Sequence, residues 1–314
     1  MQSEYHESEF KAVKFKCVDK DMLFGWLTAN KSMSRDSRYW HCLLEEDLTQ
    51  REQFFGDLVG YVQEAHRDAR RIFEMEHLDP LGVLPSESPV DYPGSLPLNV
   101  LQGYFGEILA GLVVENYSPF GIDDWIVPAF LFRFHNLTFE RLEVLLQGGS
   151  IPNQLPGRTG DDCLAFQFDR NGNVIKMLYC EAKCTFDHSS GLIDDAHEKV
   201  SKERPASIPQ ILKILGERQN PTSKRLVETI QAFRKRLFLR RRDDTSCDDV
   251  RYDLVSYVYS RSPIRKETWI SPQIPNRKYS ASRELEAIEI HIHGVSDLVK
   301  SVYGKELENG KPAR

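Results

Sequence analysis

Asp161-Asp162-Cys163-Leu164-Ala165-Phe166-Gln167-Phe168-Asp169-Arg170-Asn171-Gly172-Asn173-Val174-Ile175-Lys176-Met177-Leu178-Tyr179-Cys180-Glu181-Ala182-Lys183 reads as a β-hairpin whose pairing register carries chemical meaning. Asn171-Gly172 between two β-rich runs suits a type I′ turn, which needs φ > 0 at both central residues. A two-residue turn there pairs Arg170 with Asn173. Counting back along the strands puts Cys163 opposite Cys180 and Asp162 opposite Glu181. Side chains alternate faces along a strand, so Asp162, Leu164, Phe166 and Phe168 share a face with Ile175, Met177, Tyr179, Glu181 and Lys183. That face is apolar until its far end. There two carboxylates and a lysine converge at cross-strand distance, about 5 Å between Cβ atoms.

Two carboxylates at the lip of a buried face repel each other unless something neutralises them, and a divalent cation does so. Mg²⁺ takes hard oxygen ligands from one or two carboxylates and fills the rest of its shell with water and substrate phosphate. Asp162 and Glu181 are thus the candidate metal ligands. Such a metal lowers the pKa of a bound water and polarises a phosphoryl oxygen. Lys183 would orient that water or stabilise the charge that builds in the transition state. Metal-dependent phosphodiester hydrolysis is the expected chemistry, with Mg²⁺ as cofactor and Mn²⁺ as a substitute.

Around the hairpin the chain alternates helical and strand patterns. Helical spacing runs over Leu48–Met75 and Leu98–Tyr117, and again near 192–203, 208–218 and 222–239. Strand-like runs lie at Tyr252–Tyr259 and Leu285–His293, followed by a short helix at Val295–Tyr303. Phe10 to Cys17 hints at a strand, while Asn30–Arg38 is polar and reads as loop. The stretch 79–97 holds five prolines and is the best boundary candidate. The expected organisation is a helical N-terminal accessory region, 1–95, and a mixed α/β domain, 96–314, with helices on both faces of its sheet.

Composition narrows the class. With 40 % hydrophobic and 28 % charged residues the chain has core enough to fold without staples. It contains no apolar run of about 18 residues, so no membrane partner is expected. The N-terminus has no basic start and apolar stretch of a secretory signal. The six cysteines lack paired zinc-site spacing, which fits a reduced, cytoplasmic protein. A net charge of −6 is unusual for a protein gripping DNA, because that affinity rests on Lys and Arg meeting phosphates. Positive charge must then be concentrated locally or borrowed from a partner. The densest local charge is Arg234, Lys235, Arg236, Arg240, Arg241 and Arg242, with Lys199, Lys202 and Arg204 as rival phosphate contacts.

The order Gly160-Asp161-Asp162, a hairpin, then Glu181-Ala182-Lys183 resembles the PD-(D/E)xK nuclease superfamily, a restriction-endonuclease-like α/β fold. The resemblance covers about 98–205. It implies DNA as substrate, the Ala182 carbonyl as a further metal ligand, and an acidic residue on the helix before the hairpin. Glu107, in Tyr104-Phe105-Gly106-Glu107-Ile108, matches that last position. The proline of the family motif is missing, which leaves Asp161 beside Asp162 as a candidate; the register favours Asp162. Length, the N-terminal extension and a following helix bearing Ala196 and Lys199 are similar to the nuclease subunits of Hachiman antiphage systems (HamA-like), which work with a separate helicase. The chain has no G-x-x-x-x-G-K-[ST] loop of its own.

Each of these residues also has a plainer reading. Glu181 and Lys183 could be an exposed strand ion pair worth under about 1 kcal/mol. Glu107 could be a polar position on an amphipathic helix, and the 234–242 run could be cations collected at a helix C-terminus. Cys163 and Cys180 could be a disulfide or two buried thiols. Cys180 or Cys184 with His188 or His197 could form a thiol-nucleophile pair, and His291 with His293 a metal pair without a third ligand. The competing function is a non-catalytic subunit that keeps a nuclease-like fold to hold DNA or a partner.

Overall fold

The computed structural model describes residues 17–34, 38–73, 92–132, 162–202, 207–242, 249–260 and 267–305. Among them are six strands, β1 (Leu27–Met33), β2 (Tyr39–Glu46), β3 (Cys163–Phe168), β4 (Val174–Thr185), β5 (Arg251–Tyr259) and β6 (Leu285–His291). Eight α-helices accompany them: α1 (Lys20–Trp26), α2 (Arg51–Ala65), α3 (Arg67–Phe73), α4 (Leu98–Asn116), α5 (Ser190–Lys202), α6 (Ile208–Glu217), α7 (Pro221–Arg242) and α8 (Val295–Val302). Asp161, Arg204, the expected strand before Cys17 and most of the proline-rich stretch lie outside the described residues.

The strands form one mixed sheet in the order β1-β2-β6-β5-β4-β3. β2, β6, β5 and β4 run parallel, and β1 and β3 pair antiparallel at the edges. Parallel strands are covered on both faces and read as continuous apolar runs. Accordingly every residue of β5 and of β6 is buried. One face packs Cys163, Leu178, Leu254 and Ile288 against Leu101, Phe105 and Ile108 of α4. The other packs Leu164, Met177, Tyr179 and Val255 against Ile193 and Ala196 of α5, Ile211 of α6 and Ile230 of α7. Helix α4 is buried almost all round, as a helix apolar on every side must be.

The N-terminal segment is not a separate helical region: β1 and β2 are two of the six strands, and Leu23, Trp26 and Leu44 belong to the same core as α4. The polar stretch Asn30–Met33 lies in strand β1 rather than in a loop. As an edge strand, β1 exposes most of its side chains, so it carries no alternation to read.

The hairpin register is as the counting requires over most of its length, with Cys163 opposite Cys180 and Phe166 opposite Met177. Its turn differs. Gly172 alone takes positive φ, 81°, and its N–H donates to the Asp169 carbonyl at 2.9 Å. Asp169 Oδ1 accepts the N–H groups of Asn171 and Asn173 at 2.9 and 2.8 Å. This is a three-residue loop with a glycine bulge, the next most common hairpin solution. The irregularity falls between Gln167 and Phe168, so the far end keeps its register.

Gly106 sets how closely α4 approaches β4. A Cβ built on it would sit 2.7 Å from Cys184 Cβ, inside any real contact. Gly106→Ala is therefore expected to cost about 1–3 kcal/mol in urea denaturation; an unchanged midpoint would mean that α4 can move off β4 freely.

Candidate functional site

β4 outruns its hairpin partner. The ladder with β3 ends at Cys163 and Cys180, while β4 continues to Thr185 beside β5. Asp162 stands just past the ladder, and its Oδ2 accepts the Ala182 N–H at 2.8 Å. Its carboxylate therefore lies at the open flank of β4, next to Glu181, rather than in a ladder pair with it.

Glu181 points to the α5 side and is only 1 % exposed. Its Oε1 receives two ammonium groups, Lys183 Nζ at 2.8 Å and Lys199 Nζ at 3.1 Å. Its Oε2 is buried and accepts no hydrogen bond among the described residues. Lys183 Nζ also reaches Asp195 Oδ2 at 2.9 Å. Asp195 and Lys199, four apart on α5, thus turn one helix face toward the end of β4.

Glu107 is buried on α4, against the opposite sheet face, one residue after the glycine that touches Cys184. Asp162 couples the two sides. Its carboxyl is held well above the usual carboxylate range, first by burial and then by the charges of Glu181 and Glu107, with Lys183 and the Ala182 N–H opposing. Burial pulls Lys183 down, but Glu181, Asp195 and Asp162 outweigh it and raise its pKa. Lys183 is thus a fixed cation, suited to stabilising negative charge and unsuited to accepting a proton.

Asp162, Glu181, Lys183 and Glu107 are therefore electrostatic neighbours, with Lys199 added to the group and Asp195 missed. The signal for Asp195 is its i, i+4 spacing to Lys199 on a helix that starts soon after β4. Among the described residues, no three His, Cys, Asp or Glu side chains are gathered closely enough to form a ready metal cluster. What fits a cation is the donor chemistry: hard carboxylate oxygens, with Glu181 Oε2 buried and unmet.

Arg236 of the basic run lies elsewhere. Its guanidinium donates to the Val174 carbonyl at the start of β4 and sits 5.6 Å over Phe233. Val174 precedes Glu181 by seven residues, about 23 Å of strand, so Arg236 does not flank the candidate site. Arg234 and Lys235 are exposed on α7, Lys202 pairs with Glu198, and the side chains of Arg240, Arg241 and Arg242 lie outside the described residues.

The remaining candidates have structural partners. Cys163 and Cys180 face each other as free buried thiols. Burial pushes both well above the usual range and Cys184 up to about 12, so none supplies a thiolate. His291 Nε2 meets the Ser260 carbonyl at 3.1 Å, and His293 Nδ1 meets Glu46 at 3.3 Å.

No protein-family model matches this chain, and no curated protein sequence does. Among the described residues no helix is long and apolar enough to cross a membrane.

A raised carboxyl pKa favours the protonated folded state, so its contribution is lost as pH climbs through the folded pKa. In EDTA, Asp162→Asn is expected to melt about 2–4 °C above wild type at pH 7.5, with the gap closing on acidification. Equal or lower melting at both pH values would show that the ionised carboxylate does not strain the fold.

Proposed function

We propose that this chain is a metal-dependent nuclease of restriction-endonuclease-like type, hydrolysing DNA phosphodiester bonds as the effector of an antiphage complex with a helicase partner. The observation that carries the reading is Glu181: a buried carboxylate with one oxygen shared by two lysines and the other unmet, beside Asp162 and Glu107. The order of elements supports it as well. An acid-bearing helix, α4, precedes the hairpin with Asp162 and Glu181-Ala182-Lys183, and α5 then leads to β5, parallel to β4.

Glu181 and Asp162 would hold Mg²⁺ or Mn²⁺, with Glu107 and the Ala182 carbonyl adjacent. When bound, the metal supplies an activated water and a polarised phosphoryl oxygen. The chain's own residues do the rest. Lys183, kept protonated between Glu181 and Asp195, presents positive charge where the phosphorane develops it negatively. Lys199 is the second cation within reach of the same carboxylate, placed to take a phosphate oxygen. A helicase partner would supply the duplex opening and add phosphate contacts to those of a chain whose net charge is −6.

One observation favours a non-catalytic platform instead: the described residues hold no ready three-ligand group. Two measurements separate the readings. Plasmid DNA is incubated with wild type, Glu181→Ala and Lys183→Ala, with and without Mg²⁺ and the partner. The nuclease reading expects Mg²⁺-dependent cutting that falls about 10²–10³-fold in Lys183→Ala and further in Glu181→Ala; equal cutting by all three ends it. Manganese titration followed by electron spin resonance should show a site lost in Glu181→Ala, whereas a platform shows none in wild type.

A further inference from the structure

Beside the strand position next to Lys183 the sheet carries a feature that the cleavage chemistry does not use. His188, between β4 and α5, and Trp269, before β6, lie face to face with ring centroids 3.4 Å apart and planes 7° from parallel. Both are half-buried, so part of this double ring faces solvent. Tyr257 stands at right angles to His188, with ring centroids 6.1 Å apart, and in the parallel ladder Tyr257 is the direct neighbour of Lys183. The ring pair therefore reaches, through Tyr257, the β5 position paired with Lys183. It also lies at the carboxyl ends of parallel strands, where open α/β sheets receive ligands.

The pair is rigidly held. Glu289, fully buried on β6, accepts the N–H groups of Trp269 and Ile270 at 2.9 and 2.7 Å and is met by His41 Nε2 at 3.1 Å. Tyr257 Oη accepts the Ser189 N–H at 2.9 Å and lies 3.2 Å from His188 Nδ1. A buried carboxylate and a buried phenol are thus spent on fixing two aromatic rings at the rim.

We infer that Trp269 and His188 form a stacking ledge for an unpaired base of single-stranded DNA next to the scissile phosphate. This rests on the nuclease reading. A flat ring pair takes the π-face of any base, and that face is free only when the base has left the duplex stack. The charge balance points the same way. Lys183 and Lys199 are engaged by Glu181 and Asp195, the Arg236 guanidinium is at the other end of β4, and the chain is acidic. Stacking would add a grip that salt does not screen.

The test measures binding of fluorescent oligothymidylate, an abasic oligomer of equal length, a duplex and an RNA oligomer to the full chain in EDTA. Wild type is expected to bind oligothymidylate about tenfold more tightly than the abasic strand. Trp269→Ala is expected to lose that difference and Trp269→Phe to keep most of it, with the same slope of affinity against salt in all three. Quenching of intrinsic fluorescence by oligothymidylate should vanish in Trp269→Phe. If Trp269→Ala does not fold, the thymidine-against-abasic comparison on wild type decides. Equal binding of the thymidine and abasic strands overturns the ledge, and tighter binding of RNA than of DNA overturns its assignment to DNA. Because no cleavage is read, loss of the base effect leaves the Glu181 chemistry standing. Equal plasmid cutting by wild type and Glu181→Ala would remove the nuclease and leave the base effect intact.

Discussion

A carboxylate taken out of water has to be met by donors, and the way this protein meets that demand organises its sheet. Glu46 accepts from Trp26 Nε1, Arg51 Nε and the His293 N–H, each at 2.7 Å, tying the first helix to the turn before the last one. Asp253 is closed by Arg251, Arg283 and the Tyr279 hydroxyl at 2.8–2.9 Å. Glu115 takes Tyr61 and the Val127 N–H, and Glu289 takes the segment around Trp269. These acids fasten irregular segments onto regular ones by backbone and side-chain N–H or O–H groups that cannot leave. Glu181 is met differently. Its partners are two lysine ammoniums on flexible stems, and its second oxygen has none among the described residues. A fastening role would call for fixed donors. Exchangeable cations suit an acid that must accept another ligand.

The position of that acid follows from the topology. In the parallel set Lys183, Tyr257 and Glu289 fall in one row across β4, β5 and β6. Because β3 stops at Cys163, the flank of β4 beyond it is left for Asp162, while α5 returns over the same end with Asp195 and Lys199. The site thus draws on a hairpin edge, a strand end and a crossover helix, and Gly106 lets α4 bring Glu107 close from the other face. No single element could place these charges together.

This origin also governs what the sequence made legible. The hairpin register was readable because side-chain alternation and a glycine turn constrain it locally, and the bulge at Gln167–Phe168 altered the turn without shifting Cys163 from Cys180. The long helices and the buried strands β5 and β6 announce themselves by periodicity or by unbroken apolar runs. β1 does not, since an edge strand such as Thr28–Ser32 is mostly solvent-facing. That β2 lies beside β6, on the far side of the sheet from the hairpin, is a tertiary fact that no local pattern encodes. Charge density alone does not give position either. The run beginning at Arg234 is the most basic stretch in the chain, yet Arg236 sits at the start of β4 and Lys199, one of two lysines on α5, sits at Glu181. Proximity to a site is set by strand direction and crossover geometry, and residue density carries neither.

Among the described residues at the end of β4, the carboxylates of Glu181 and Asp195 share the ammonium groups of Lys183 and Lys199, while Asp162 feels the negative charges of both Glu181 and Glu107. The raised Asp162 pKa is the response expected where poor solvation and repulsion from those charges act together. Protonation, however, weakens the acceptor that holds the Ala182 N–H. On the proposed function Asp162 and Glu181 would instead hold a divalent cation, which would keep Asp162 ionised. The same electrostatic strain that makes the free protein favour a protonated aspartate would then favour the metal, so on that reading affinity for the ion would lie in the arrangement of the carboxylates before any ion arrives.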